Sequence, residues 1–287
     1  MRGMSVLPGL ALLAVVWMAG PVPPASPPPA SPWRMLEPGL ELGEFPAPAA
    51  SDADDAVIRI VRISLDFYDL RLLNASQSPE GHPRTAREWA QRYHLAAAIN
   101  ASMYQADLRR SVSLMRTPGH VNNPRLSKDK AVLAFDRIAG DLPKAQIIDR
   151  ECQDFETLSR GYGTLVQSIR MISCTGRNVW VQQPQAWSAA AIGFDRSGRV
   201  LFIHARAPRT THDLIDILLG LPIDLKNAMY AEGGPEAQMV VRGGGQEHEF
   251  TGLLSGSGGA GTSLAWPIPN VVGAVRRNGA PLIAPGR

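Results

Sequence analysis

The stretch SAAAIGFDRSGRVLFIHARA, residues 188–207, decides the class of fold. Two apolar runs, Ala189–Phe194 and Val200–Ala205, flank Asp195, Arg196, Ser197 and Gly198. Asp and Ser bond back to nearby backbone, and glycine admits positive φ, so the chain reverses within these residues. Strands joined this closely run antiparallel, because parallel neighbours need a crossover of a dozen or more residues. SIRMISCTGRNVWVQQ (168–183) reads as a second hairpin, turning at Thr175 and Gly176.

Other strands follow on both sides. AVIRIVRISLDFYDLRLL (56–73) is rich in β-branched residues and reads as a long strand or a strand pair. AAAIN (96–100), AVLAFD (131–136), AQIIDR (145–150), NAMYA (227–231) and QMVVR (238–242) are shorter strands. WPIPNVVGAV (266–275) has prolines at its start and reads as an edge strand. Helices are fewer. In TAREWAQRYHL (85–95), Thr85 with Glu88 three residues on makes a capping box. In THDLIDILLGL (211–221), Leu214, Ile217, Leu218 and Leu221 share a face, and Gly220 and Pro222 end the helix. Hairpins outnumber helices, so the expectation is a single α+β domain with a mixed, largely antiparallel sheet and flanking helices.

The N-terminus has a different character. Arg2 precedes the apolar run VLPGLALLAVVWMAG, which suits a secretory signal better than a spanning helix. We expect a signal peptide over 1–25, a proline-rich tether over 26–53 and the folded domain over 54–287. No later stretch is apolar enough to cross a bilayer. The chain is therefore expected to be exported, periplasmic or secreted. In such a compartment Cys152 and Cys174 can form a disulfide of about 3 kcal/mol; two buried thiols are the alternative. The 287 residues are 45% hydrophobic and 19% charged, with net charge +3 and no basic block, so nucleic acid is not an expected partner. Neither a cofactor nor a metal is expected. His204 and His212 lack a third ligand at suitable spacing, and two cysteines make a poor zinc signature.

Chemistry concentrates in YAEGGPEA, residues 230–237. Gly233 and Gly234 lack side chains, so a ligand can approach their N–H groups, and Glu232 stands beside them. An ordinary tight turn with solvated glutamates is the alternative. NAMYAEGGPEAQMVV (227–241) resembles the signature of the phosphodiester glycosidase domain family, in its exported bacterial branch. AAINASMYQ (97–105), SVSLMRTPGHVNN (111–123), QSIRMI (167–172), the 189–206 hairpin, the 211–230 helix and strand, and WPIPNVVG (266–273) match it in order, over roughly Val57 to Val275. The chain departs from the family at three places: Glu232 replaces Asp, Asn100-Ala101-Ser102 replaces Asn-Gly-Gly, and Trp187 to Ala190 occupies the place of an arginine.

The resemblance implies hydrolysis of a sugar-1-phosphodiester, here on envelope or extracellular polysaccharide; a silent glycan-binding envelope protein is the alternative. Such chemistry needs a held phosphate, a stabilised oxocarbenium-like carbon and an activated water. It assigns Glu232 as base or charge stabiliser, with Glu236 as its partner. Asn100 would bond sugar hydroxyls or phosphate, or simply cap a strand. Gly233 and Gly234 would present N–H groups, and Arg170 or His120 would supply positive charge. Asn122, Asn123 and Gln167 complete the substrate-binding set. Trp180 and Trp187 would stack on a sugar or pack in the core.

Overall fold

In the computed structural model, residues 31–47, 57–253 and 264–277 are described. In chain order the strands are β1 (Trp33–Glu37), β2 (Leu40–Pro46), β3 (Val57–Ile63), β4 (Tyr68–Asn74), β5 (Ala97–Asn100), β6 (Met115–Thr117), β7 (His120–Asn123), β8 (Ala131–Arg137) and β9 (Gln146–Asp149). They continue as β10 (Tyr162–Ser168), β11 (Arg170–Ile172), β12 (Trp187–Asp195), β13 (Val200–Arg209), β14 (Leu225–Gly233), β15 (Gln238–Gly243), β16 (Gln246–Thr251) and β17 (Asn270–Arg276). The helices are α1 (Ala86–Arg92), α2 (Phe155–Ser159) and α3 (Thr211–Gly220), with a 3-10 turn at Gly234–Glu236.

The strands build a seven-stranded sheet, β1-β2-β3-β13-β12-β14-β11, and two five-stranded sheets, β7-β6-β10-β8-β9 and β16-β15-β5-β17-β4. The pairings are antiparallel, as the hairpin-rich sequence predicts. The 188–207 hairpin is β12 and β13. Asp195 closes its turn by accepting from Gly198 N at 3.0 Å and, through its carboxylate, from Arg199 N at 2.9 Å. Gly198 sits at φ 83°, where other residues are strained.

The inner faces of the three sheets meet in one core. Val61, Ile192 and Phe202 come from the first, Leu133 and Val166 from the second, and Ile99, Met239 and Val272 from the third. Period-2 alternation turns the other faces outward, where the helices cover them. On the seven-stranded sheet α3 packs Leu214, Ile215 and Leu218 against Ala191 and Ile203. Against Ala98 and Val240, α1 packs Trp89 and Ala90, and the Trp89 indole donates to Ile268 O at 3.0 Å. Each such large buried side chain stabilises the fold by about 1.5–3 kcal/mol. The Thr85–Glu88 capping box is formed as expected.

Two expectations need correction. Residues 33–46 are not tether: β1 and β2 pair with one another, and β2 pairs with β3, so the folded part begins well before residue 54. Leu40, Leu42 and Phe45 are buried there, and this alternation outweighs the surrounding prolines. Next, β17 is no edge strand; it lies between β5 and β4. Pro267 and Pro269 precede its first paired residue, so no ladder donor is missing from it. Of the two readings of the 56–73 stretch, the structure gives two strands, which part at residues 64–67 into different sheets. Cys152 and Cys174 form a disulfide, with Cα atoms 6.8 Å apart. The expected signal peptide and the glycine-rich loop over 254–263 lie outside the described residues.

Candidate active site

The Gly-Gly-Pro-Glu segment joins β14 of the large sheet to β15 of the third sheet, so it bridges two sheets at a shared end. Its position is fixed from several directions. Asn100, at the end of β5, donates from Nδ2 to Glu236 O at 2.9 Å and accepts Gln238 N at Oδ1, 2.7 Å away. Its side chain thus extends the β5–β15 ladder by one rung beyond Met239 and Ile99. Ala237 O accepts from Gly252 N at 2.8 Å and faces His204 Nε2 at 3.2 Å. Gly252 is required there, because an added Cβ would lie 1.9 Å from Gly234 O. Gln238 Oε1 accepts from Ala86 N at 2.9 Å, anchoring the segment to the start of α1.

Glu232 is the next-to-last residue of β14, opposite Ala190 of β12. The residue keeps some surface open to solvent, while its carboxyl sits deep among protein atoms. Burial is the main influence and pushes its pKa up to about 7; Gly233 N–H pulls it down and the Glu236 charge adds to the rise. Among the described residues, no cation figures among these influences. Two phenols complete the group. Burial raises the pKa of Tyr104 and of Tyr230, and the charges of Glu232 and Glu236 raise each further. Both phenols therefore stay protonated and can donate. Tyr230 also tilts against Trp180, with ring centroids 5.4 Å apart.

This geometry corrects the expected anion nest. Gly233 N donates to Glu232 Oε1 at 3.0 Å, so the glutamate itself takes that donor. Nor is the side-chain-free face of Gly233 open to a ligand: a Cβ there would meet the Tyr230 hydroxyl at 2.0 Å and Trp187 Cδ1 at 3.0 Å. Aromatic side chains fill the space that glycine leaves. Gly234, at φ 65°, is less crowded; the closest atom to an added Cβ is Glu236 Oε2 at 3.3 Å. Glu236 therefore folds back over the segment toward Glu232. The 3-10 turn shortens the rise between them, and the Glu236 charge reaches Glu232.

Other predicted residues have different duties. Arg170 lies on β11 opposite Met229 and grips Asp149 with Nη1, at 2.8 and 2.9 Å from its two oxygens. Asp149 is 1% exposed and also accepts Cys174 N, so Arg170 compensates a buried charge beside the disulfide. Gln167 is fully buried; its Oε1 accepts Leu114 N and Ser127 N, and its Nε2 donates to Ser127 O and Asp129 O. Each of its lone pairs and protons is used on backbone. Asn122 Oδ1 accepts Ser111 N, and Asn122 Nδ2 donates to Ser76 Oγ and Arg109 O. Asn123 Nδ2 donates to Ser111 O. His120 Nε2 contacts Ser76 Oγ at 2.8 Å. These residues shape the loop at Ser111, whose hydroxyl meets Ser102 Oγ at 3.0 Å and whose backbone bridges Tyr104. The loop they shape pairs with Tyr104, whose phenol feels the charges of Glu232 and Glu236.

Of the residues named from sequence, Glu232, Glu236, Gly233 and Gly234 lie on the signature segment and Asn100 bonds it, while Arg170 bonds Asp149. Sequence reasoning did not single out Tyr104 and Tyr230, whose phenols feel the charges of both glutamates. The available signal for Tyr104 was an aromatic four residues past Asn100, in a stretch otherwise made of small residues.

A family model for phosphodiester glycosidase matches residues 93–275. The chain belongs to that family. Its fold is similar to the catalytic domain of zebrafish N-acetylglucosamine-1-phosphodiester alpha-N-acetylglucosaminidase, a structure auto-inhibited by its pro-peptide. The TM-score is 0.61 at 14% identity, over 86% of this chain and 87% of that one. A hypothetical protein from Synechocystis is similar at TM-score 0.57 and 14% identity, over 84% of this chain and 62% of that one. No curated protein matches the sequence significantly.

Proposed function

We propose that this protein is an exported glycosidase that hydrolyses a bond to an anomeric carbon, with Glu232 as general acid and Glu236 as its carboxylate partner. One observation carries the reading: a buried carboxyl poised near neutral pH beside a second glutamate, on the segment that carries the family signature. An acid catalyst works best when its pKa lies near the working pH, and two carboxyls in unlike environments can divide the acid and base roles. The C1–O bond breaks as the Glu232 proton moves to the leaving oxygen. Water then adds hydroxide to C1 and gives its proton to Glu236, while protonated Tyr104 and Tyr230 donate to sugar or leaving-group oxygens. Asn100 acts as a positioning residue, since its side chain bonds Glu236 O and Gln238 N and so holds the catalytic segment. Export rests on the apolar segment after Arg2, and it directs the search for substrate to envelope or extracellular glycans.

The test is release of reducing sugar from a panel of glycosides and sugar-1-phosphodiesters by the purified protein. Glu232→Gln should lower kcat by at least about a hundredfold, the scale of general acid catalysis. Full activity in that variant removes Glu232 from the mechanism. A glycan that binds without any turnover favours the silent-binder reading.

A further inference from the structure

We propose that His204 is a positioning residue for the reaction: as a neutral ring with its proton on Nε2, it holds the Ala237 carbonyl and so sets the turn that carries Glu236. This rests on the glycosidase reading above. The placement comes from the register. His204 lies on β13 between Arg59 of β3 and Ala190 of β12, and Ala190 pairs in turn with Glu232 on β14. Glu232 and His204 thus share one cross-strand row, separated by a residue whose side chain is a single methyl. The signature turn lies over that end of β12, because an added Cβ on Gly252, which bonds Ala237 O, would meet both Gly234 O and Ser188 Cβ. His204 therefore supports the turn from the large sheet, while Asn100 grips it from the third sheet.

Ala237 is the residue on which this turn closes. Its N–H donates to Gly234 O at 3.2 Å, and its carbonyl accepts Gly252 N at 2.8 Å and faces His204 Nε2 at 3.2 Å. A carbonyl oxygen has two lone pairs, so these two donors saturate it. Without His204, Ala237 O keeps one bond and the peptide to Gln238 can tilt about it. Glu236, the residue just before, then loses its fixed direction.

The place of the ring proton follows from the two nitrogens. His204 is 1% exposed, and its Nδ1 has no hydrogen-bond partner among the described residues. A proton on Nδ1 would leave a buried donor unmet and set the Nε2 lone pair against a carbonyl oxygen. A proton on Nε2 makes the bond and leaves only an acceptor unmatched. A proton on both nitrogens is opposed as well. Burial first, and then the charges of Arg59 and Arg206, push the ring down to about 4 against the pull of Ala237 O. Phe250 lies alongside, with ring centroids 6.2 Å apart. The ring therefore keeps one form across the range in which Glu232 exchanges its proton, and the support does not titrate with the acid.

The experiment compares the full chain with His204→Leu and with His204→Gln, whose side-chain amide can donate to Ala237 O from a similar reach. Backbone amide exchange reads the hold on the turn: the N–H groups of Ala237 and Gln238 should exchange about tenfold faster in His204→Leu, the worth of one buried hydrogen bond, and near the parent rate in His204→Gln. Nitrogen NMR of the parent ring should place its proton on Nε2 between about pH 5 and pH 8. With the methyl phosphodiester of N-acetylglucosamine 1-phosphate as probe, kcat should fall about tenfold in His204→Leu, with KM within about twofold, and recover in His204→Gln. A ring proton on Nδ1 overturns the inference, and so do exchange and kcat in His204→Leu that match the parent. A folded His204→Gln that behaves like His204→Leu overturns it too. Where His204→Leu does not fold, the ring spectrum and His204→Gln against the parent carry the test. A parent chain that hydrolyses no member of the panel ends the glycosidase reading alone, and exchange and ring spectra still decide what His204 holds.

Discussion

Replacing Glu232 by glutamine should stabilise the protein at pH 8 and not at pH 4. The carboxyl is raised from an ordinary 4.5 to about 7, mainly by burial. Below 4.5 the folded and unfolded states both hold the proton, and the site costs nothing electrostatically. Between 4.5 and 7 the folded state keeps a proton that the unfolded chain has released. Stability of the parent protein therefore falls as pH rises through this window, and the full penalty is present above it. The shift, at about 1.4 kcal/mol per unit, gives about 3 kcal/mol. Solvent on the open side of the residue lowers this to about 1–3 kcal/mol. Glutamine carries no charge and keeps an oxygen to accept Gly233 N–H. Urea unfolding of parent and Glu232→Gln at both pH values isolates the effect. The difference between them should grow by about 1–3 kcal/mol from pH 4 to pH 8, in favour of the variant. Taking that double difference cancels steric effects of the substitution. A difference that does not change with pH would refute the claim that Glu232 is held neutral by its surroundings. The same group should make kcat/KM fall above an apparent value near 7, as the acid loses its proton.

Three further outcomes follow from the contacts. Gly233→Ala would place a Cβ against the Tyr230 hydroxyl and Trp187; it should destabilise by about 1–3 kcal/mol in urea unfolding, and Tyr230→Phe in the same chain should recover part of the loss. Arg170→Ala should cost about 3–5 kcal/mol, because it strands the Asp149 charge, while KM of the folded protein stays within twofold; a large rise in KM with intact stability would return Arg170 to the substrate. Asn100→Ala leaves Gln238 N without its acceptor and frees the segment. It should lower thermal stability by about 1–3 kcal/mol and reduce kcat more than it raises KM.

What could be read from the sequence was local. The turn at Asp195–Gly198, the capping box at Thr85 and Glu88, and the α3 face are each set by residues within a few positions of one another. The two corrected expectations involve distant partners. Proline-rich surroundings masked β1 and β2, whose stability comes from β3. Sequence proximity of Pro267 and Pro269 suggested an edge, yet β5 and β4 take both sides of β17. Arg170 is a candidate by residue type alone, and only folding reveals Asp149, 21 positions away, at its guanidinium. The glycines show most clearly why composition misleads. Absence of a side chain says that something approaches the backbone, but not what does. At Gly233 it is Tyr230 and Trp187; at Gly252 it is the carbonyl of Gly234. Both glycines serve close packing around the signature segment, where burial of the Glu232 carboxyl is the main influence on it. The same dense surroundings that remove an anion nest are therefore what raise the carboxyl and let it act as an acid. Loosening them at Gly252, as Gly252→Ala must by displacing Gly234 O, should lower the apparent acid pKa toward 4.5 before it abolishes folding.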